Sequence, residues 1–248
     1  MMKLLNKITI HPITYFLIFI LLSEGLIKYF IIISIIICIH ELGHIFFLKL
    51  FKRKIIKINI LPFGGLINVD SYISTNIYED MLIAIGGIFF QCIFGLTIMH
   101  MGIRYLDLFL FYNKLIIIFN LFPILPLDGE KILNAFLNIF VSFKKSMIAS
   151  IYLSLITIIF ILVFNTNIIY KNLPVIIFLI ISSYKNLKNV SICMNAFYLE
   201  RMNHTFNFNK NKNIKNIQSM YKNKNNLLYK ECEHVFIKKH FKLINDRK

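Results

Sequence analysis

The sequence predicts an all-α integral membrane protein of about six transmembrane helices, with a short β-hairpin or re-entrant loop after the second helix and a small cytoplasmic C-terminal tail. Three observations support this fold class. Hydrophobic residues make up 57% of the 248 residues and charged residues only 16%, whereas a soluble domain carries roughly 25% charged residues. The apolar residues form long runs, and the basic residues lie mostly between those runs. Such a chain is neither an ordinary soluble enzyme nor a disordered protein, which needs low hydrophobicity.

Long apolar runs locate the helices, because a helix needs about 20 mostly apolar residues to cross a bilayer core of about 30 Å. Pro123 and Pro126 are expected to break the end of the fourth helix, since proline removes a backbone donor and clashes with the preceding turn. The six candidate spans are 13–27, 29–48, 81–101, 108–127, 147–164 and 168–183.

The basic residues predict the orientation of these spans. With six spans and a cytoplasmic N-terminus, 24 of the 28 Lys and Arg residues fall in cytoplasmic segments, as the positive-inside rule requires. We therefore expect both termini to be cytoplasmic. On this prediction the chain divides into a six-helix membrane domain at 1–184 and a basic cytoplasmic extension at 185–248.

The extension holds fourteen basic and four acidic residues, which gives it a net charge of +10. The simplest interpretation is a solvated surface that faces the lipid bilayer, with roughly 1 kcal/mol of attraction per basic residue near an anionic membrane. A small folded or partner-ordered domain is the alternative. Nucleic-acid binding is not expected, because no nucleic-acid-binding motif accompanies the charge.

The second predicted span contains three ionisable residues within five positions, in the run His-Glu-Leu-Gly-His from His40 to His44. An ionisable residue inside a span is costly and therefore indicates function. Positions i and i+4 share one face of a helix, so His40 and His44 can bind one zinc ion, and Glu41 beside them can accept a proton from water. The alternative is a pair of histidines that form hydrogen bonds between helices, which gives Glu41 no role.

A catalytic zinc ion needs a third protein ligand. His40 and His44 lie about 14 Å and about 8 Å from the cytoplasmic end of their helix at 1.5 Å per residue, so the third ligand is expected at similar depth. Asp128 is favoured because the two prolines before it impose irregular backbone, which at this depth lies only within protein or beside a cavity. An N-cap role for Asp128 is the alternative. The other carboxylates at this depth belong to Glu79, Asp80 and Glu130.

The segment after the second span predicts a β-hairpin at 55–69. Ile56, Ile58 and Ile60 alternate with polar residues, and a turn at 62–65 precedes a second apolar run, which is typical of paired strands. An extended substrate could add a strand beside it, and an ordinary membrane-surface loop is the alternative. Glycines inside the spans are interpreted as sites of close helix packing; they are Gly86, Gly87, Gly95 and Gly102.

Together these motifs resemble the site-2 protease family of intramembrane zinc proteases, over roughly residues 8–200. Five motifs carry the resemblance. They are Ile-His-Pro at 10–12, His-Glu-Leu-Gly-His at 40–44, Leu-Pro-Phe-Gly-Gly at 61–65, Asn-Leu-Phe-Pro-Ile-Leu-Pro-Leu-Asp-Gly at 120–129, and Tyr-Leu-Glu-Arg at 198–201. The resemblance implies that His40, His44 and Asp128 are the ligands of a Zn²⁺ cofactor and that Glu41 is the catalytic base. It also implies that three residues shape the site and help to hold substrate, namely Asn120, Pro123 and Pro126.

The match is close to the branch of this family that processes pro-sigma-K in endospore-forming bacteria. It implies cleavage of a membrane-associated proprotein, membrane partners that inhibit the protease until signalled, and a location in the outer forespore membrane. Relatives also carry a C-terminal nucleotide-binding domain, and about 50 residues follow Tyr198 here, too few for a complete pair of its motifs. Glu130 stands where the family has glycine, and Ile85-Gly86-Gly87 where it has Ala-Gly-Pro.

Two other functions are open at this stage. One is a membrane zinc protease of another HExxH family, with a glutamate as the third ligand. The other is a metal-binding transporter or a non-catalytic assembly protein. Transporters usually contain inverted repeats and helices broken at the midplane, and no convincing repeat is found in the sequence.

Overall fold

The computed structural model describes residues 8–10, 23–61, 64–70, 73–100, 105–164, 166–229 and 231–245. The chain divides into two compact units, Met1–Ser71 with Leu82–Asn120 and Tyr72–Met81 with Leu121–Lys248. The helices and strands are, in chain order, β1 (Ile8–Ile10), α1 (Ile27–Leu50), β2 (Lys54–Leu61), β3 (Gly64–Asp70), α2 (Ile77–Met99), α3 (Leu106–Leu121), α4 (Asp128–Phe140), α5 (Phe143–Phe164), α6 (Thr166–Asn203), β4 (Asn211–Ile214), β5 (Asn225–Leu228), β6 (Glu231–Cys232) and α7 (Glu233–Asn245).

The described part of the chain has four helices that are long and apolar enough to cross a membrane. Their apolar side chains are widely exposed, as lipid contact requires; on α1 they include Ile31, Ile35, Leu42 and Phe46. The opposite face of α1 is buried and carries Ile36, His40 and His44. The four helices span Ile27–Leu50, Ile77–Met99, Phe143–Val163 and Val175–Asn203.

Four of the six predicted spans correspond to these helices, although the last continues as α6 to Asn203, through the predicted domain boundary at 184. The predicted span 108–127 is shorter in the structure. Its helix, α3, has 16 residues, or about 24 Å, because it ends before Pro123. The predicted span 13–27 lies mainly outside the described residues, so the total of six stays a prediction.

The molecule is mostly helical rather than all-α, because each unit also contains a three-stranded sheet. In the first unit β2 and β3 pair antiparallel, from Lys54 opposite Asp70 to Leu61 opposite Gly64, which is the predicted hairpin. β1 pairs parallel with β2 and places Ile8 opposite Ile58. β2 is therefore the central strand, and a further strand could not join it at 58–60.

Helices α1 and α2 approach closely at glycines. A Cβ atom on Gly43 would lie 2.1 Å from the carbonyl oxygen of Gly86, and one on Gly87 would lie 2.5 Å from Cε1 of His40. Only glycine fits such contacts, because any side chain would overlap the neighbouring helix. The packing expected of Gly86 and Gly87 is present, and it brings the α2 backbone against the histidines of α1.

The second unit packs its helices and the C-terminal segment around one apolar core. The core combines Phe143 and Ile151 of α5 and Phe197 of α6 with Ile214 of β4 and Ile237 of α7. In the C-terminal segment β4 pairs parallel with β5, and β5 pairs antiparallel with β6. Residues 211–229 and 231–245 are thus an ordered part of this unit.

Arg201 connects three parts of the second unit and is only 2% exposed. Its guanidinium donates hydrogen bonds to Oε2 of Glu233 at 3.0 Å and to Oγ of Ser74 at 2.8 Å. The adjacent Glu200 accepts hydrogen bonds from the backbone N–H groups of Ile73 and Ser74. The end of α6 therefore ties the segment before α2 to the C-terminal helix.

We expect Arg201→Met to destabilise the second unit by about 3–5 kcal/mol, because it removes a buried cation and leaves the carboxylate of Glu233, which is only 16% exposed, without its partner. Lys239→Met is the matched control. The Lys239–Glu231 pair has side-chain exposures of 62% and 39%, so its loss should cost about 1 kcal/mol or less. Pulse proteolysis of the membrane-bound chain would measure both effects, and equal protease resistance of the two variants would contradict the role given to Arg201.

Candidate metal centre

His40 and His44 lie on one face of α1 and are both buried. Nδ1 of His40 is 2.8 Å from Oε1 of Gln91, and Nδ1 of His44 is 2.7 Å from the backbone carbonyl oxygen of Ile83. Since an oxygen of this kind can only accept, each Nδ1 carries the proton and each Nε2 presents a lone pair. The two rings are therefore in the tautomer that binds a metal through Nε2.

The two Nε2 atoms are 3.0 Å apart. Two lone pairs at this separation repel each other unless a cation lies beside both. Each imidazole thus offers one nitrogen to a metal ion, and Asp128 as the third ligand stays a prediction. Two imidazole nitrogens and one carboxylate oxygen fit a catalytic Zn²⁺ site, which leaves its fourth position to water or substrate.

Glu41 follows His40 on α1 and is half-buried. Its Oε1 atom accepts a hydrogen bond of 2.7 Å from the backbone N–H of Gly65 in β3. A Cβ atom on Gly65 would lie 2.7 Å from Cδ of Glu41, so the strand reaches the carboxylate only because residue 65 is glycine. The hairpin backbone thus holds the side chain that the sequence predicts as the catalytic base.

Asp128 is the first residue of α4, and Leu127 occupies the N-cap position, so the alternative N-cap role for Asp128 is wrong. Its side chain is 4% exposed, and its Oδ1 atom accepts a hydrogen bond of 2.8 Å from Nζ of Lys131. The positive end of the helix dipole also favours a carboxylate here. A Cβ atom on Gly129 would lie 2.3 Å from the carbonyl oxygen of Leu121, so the glycine lets α4 begin against the preceding turn.

Glu130, which replaces a glycine of the family motif, is buried between α4 and α5. Burial raises the pKa of its carboxyl, while hydrogen bonds from the side chains of Ser150 and Asn134 and the charge of Lys131 act in the opposite direction. Glu79, Asp80 and Glu130 stay the alternative candidates for the third metal ligand.

Pro123 and Pro126 lie in the turn between α3 and α4, as the sequence predicts. Ser154 of α5 donates from Oγ to the carbonyl oxygen of Pro123 at 3.0 Å and accepts from the N–H of Leu125 at 3.2 Å. One hydroxyl therefore satisfies two backbone groups that a helix would have paired. The side chain of Asn120 donates to the carbonyl oxygen of Ile116 on its own helix. The roles of Asn120, Pro123 and Pro126 toward substrate stay predictions.

Two residues that contact the site escape prediction from the sequence patterns above. Gln91, whose side chain meets His40, is an amide inside an otherwise apolar span, and such a residue is a recognisable sign of function. Gly65 acts through its backbone N–H, which no side-chain pattern reveals.

Comparison with known proteins gives several matches. Residues 28–105, which include His40, Glu41 and His44, match peptidase family M50. Stage IV sporulation protein FB of Bacillus subtilis (strain 168) is 31% identical over 153 residues, 58% of this chain and 52% of that protein. A zinc metalloprotease of Methanocaldococcus jannaschii is 30% identical over 126 residues, 47% of this chain and 36% of that protein. The chain thus spans about half or less of the length of these two relatives.

A solved structure agrees with the sequence matches. The site-2 protease from Methanocaldococcus jannaschii superposes with a TM-score of 0.55 at 25% identity, over 72% of this chain and 89% of that one. The apolar helices described above are those of an integral membrane protein. Residues 28–105 are thus similar to peptidase family M50, and the fold is similar to that of a site-2 protease.

Proposed function

We propose that this chain is an intramembrane zinc endopeptidase that cuts a membrane-associated proprotein, and that this substrate is pro-sigma-K during sporulation. The observation that carries the proposal is the pair of imidazoles with facing Nε2 atoms, next in sequence to a carboxylate held by Gly65. Similarity to a sporulation protein supports the biological setting. We further propose that both termini are cytoplasmic, that the protein resides in the outer forespore membrane, and that membrane partners inhibit it until signalled.

The chemistry assigns a role to each residue of the site. His40, His44 and Asp128 would hold the zinc ion. Bound zinc would polarise the scissile carbonyl and bring the pKa of the attacking water toward about 7. Glu41 would accept the proton of that water and later deliver it to the leaving amine. The N–H of Gly65 keeps Oε1 of Glu41 in one position, so the carboxylate is oriented before substrate arrives.

An extended substrate would reach the site along β3. Alternate residues of a strand direct their N–H and C=O groups to opposite edges, so Ile67 and Val69 face the same edge as Gly65, which meets Glu41. Within the described residues this sheet has the order β1-β2-β3, which makes β3 an edge strand. A substrate segment added there as a strand would lie unwound beside the base, whereas a peptide bond inside a helix is hydrogen-bonded and shielded from attack.

Glu41→Gln should abolish cleavage and leave zinc bound, because it removes the base but keeps an oxygen that can accept from Gly65. We expect a loss of at least about 10²–10⁴-fold when the full chain is coexpressed with pro-sigma-K. Glu24→Gln, which removes an exposed carboxylate shortly before α1, should cleave like the wild type. Cleavage by Glu41→Gln would refute the assignment, and a wild type that binds zinc but cuts no proprotein would favour a transporter or assembly protein.

Removal of a residue that only orients a metal ligand weakens metal binding roughly 10–100-fold. Asp128→Ala should weaken zinc binding by more than this, because it removes a ligand itself. Glu130→Ala, two positions away, should bind zinc like the wild type, because Glu130 is hydrogen-bonded to Ser150 and Asn134. Competition with a chelator would measure both affinities in detergent micelles. The reverse result would favour a zinc protease of another family with a glutamate ligand.

Gly65→Ala should lower the cleavage rate by about 10²-fold, because its Cβ would displace the carboxylate of Glu41 and misplaced catalytic groups cost about this much. Zinc content should not change, because the hydrogen bond of Gly65 goes to Glu41 and not to a predicted zinc ligand. Asn68→Ala, at an exposed position of the same strand, is the control. Full activity of Gly65→Ala would show that the contact does not position the base.

A further inference from the structure

We propose that Asn113 and Gln91 form a hydrogen-bond relay that fixes the tautomer of His40 and thereby sets the affinity of the site for zinc. The relay rests on the proposed function only in taking His40 as a metal ligand. Neither amide belongs to the HExxH motif, and both lie in apolar helices, Gln91 in α2 and Asn113 in α3.

The relay consists of three contacts within the first unit. Oε1 of Gln91 lies 2.8 Å from Nδ1 of His40. Nε2 of Gln91 donates to Oδ1 of Asn113 at 3.4 Å, and Nδ2 of Asn113 donates to the backbone carbonyl oxygen of Gln91 at 3.2 Å. Gln91 is 1% exposed and Asn113 is 6% exposed, so water does not compete for these bonds.

The donor and acceptor of each hydrogen bond in the relay are fixed by Asn113, the residue farther from His40. The backbone carbonyl of Gln91 can only accept, so Asn113 must turn its Nδ2 atom toward it and its Oδ1 atom toward the side chain of Gln91. That oxygen requires a donor, which is Nε2 of Gln91. The remaining atom of the amide, Oε1, then faces His40 and requires Nδ1 to carry the proton. The lone pair of His40 is therefore left on Nε2, the atom that faces His44.

The face of α2 is shaped for this relay. Gly87, Gln91 and Gly95 follow at intervals of four residues, and so lie on one face of the helix. A Cβ atom on Gly87 would overlap the ring of His40, and one on Gly95 would lie 2.9 Å from Nδ2 of Asn113. The two glycines thus make room for the residues at either end of the relay, with the amide that joins them in between.

The two histidines differ in the group that accepts the hydrogen bond from Nδ1. His44 donates to a backbone carbonyl, that of Ile83, which cannot reverse its polarity. His40 depends on a side-chain amide, which can rotate by 180° and present Nε2 instead of Oε1. A reversed amide would place a donor against Nδ1 and favour the His40 tautomer with the proton on Nε2, which cannot bind the metal there. Asn113 prevents this reversal, and it does so without touching His40.

The test is zinc affinity of the full chain in detergent micelles, measured by chelator competition without substrate. Gln91→Leu removes the acceptor and should weaken zinc binding about 10–100-fold. Gln91→Glu keeps an acceptor for Nδ1 but loses the donor to Asn113, so it should lose less zinc affinity than Gln91→Leu, since carboxylates orient histidine ligands in other zinc sites. Asn113→Leu leaves Gln91 able to rotate and should give an intermediate loss.

Asn138→Leu is the matched control, because it removes an amide that is 2% exposed and whose hydrogen bonds go to Asn134 and Ser146. It should leave zinc affinity unchanged. Wild-type affinity in Gln91→Leu would overturn the relay, and so would equal losses in Gln91→Leu and Gln91→Glu, which would indicate packing alone.

A second measurement covers the case in which the apolar variants do not fold. In the zinc-bound wild type, nitrogen NMR of labelled histidine should show His40 with a proton on Nδ1 and the metal on Nε2, and the opposite pattern would overturn the proposal. Neither measurement uses substrate, so both test the relay without testing cleavage. Failure of the proposed protease function would instead appear as a wild type that binds zinc and cuts no substrate.

Discussion

Two imidazole lone pairs that face each other across 3.0 Å inside an apolar helix are the constraint on which the rest of this structure depends. In this arrangement each Nδ1 needs an acceptor, and the two Nε2 atoms can share a cation. Both acceptors come from α2, the side chain of Gln91 and the carbonyl of Ile83. Helix α2 must therefore lie against α1 at backbone distance, and the glycines at 43, 86 and 87 make this approach possible.

Polar groups in apolar surroundings are costly unless each one is hydrogen-bonded, and this rule explains how the chain uses its backbone. The N–H of Gly65 holds Glu41, and the carbonyl of Ile83 holds His44. Ser154 pairs the backbone groups of the turn that contains Pro123. Backbone groups cannot rotate or change sign, so they orient a side chain more reliably than another side chain does. Gln91, a side chain that holds His40, is the exception to this pattern, and the amide of Asn113 orients it.

The sequence was sufficient to predict the parts that depend on local spacing. The i, i+4 histidines share a face because any helix places them there, and the hairpin follows from alternation at 55–69. Pro123 ends α3 as expected. The pairing of Ile8 with Ile58 could not be predicted, because it joins segments 50 residues apart through backbone groups. The partners of Glu130 were equally hidden, since a carboxylate near Asp128 in sequence carries no sign that it is hydrogen-bonded to Ser150.

The basic C-terminal segment shows why charge alone does not separate a folded domain from a membrane-facing surface. Each acidic residue of this segment that the structure describes contacts another part of the protein. Glu200 accepts hydrogen bonds from the N–H groups of Ile73 and Ser74. Glu233 forms an ion pair with Arg201, and Glu231 forms one with Lys239. Most of its described lysines are exposed to solvent, among them Lys210, Lys212, Lys215 and Lys238. A shared apolar core orders the segment, while the surplus of lysine covers its surface. The two interpretations of the net charge of +10 are therefore compatible, because one concerns the interior and the other the surface that an anionic membrane would attract.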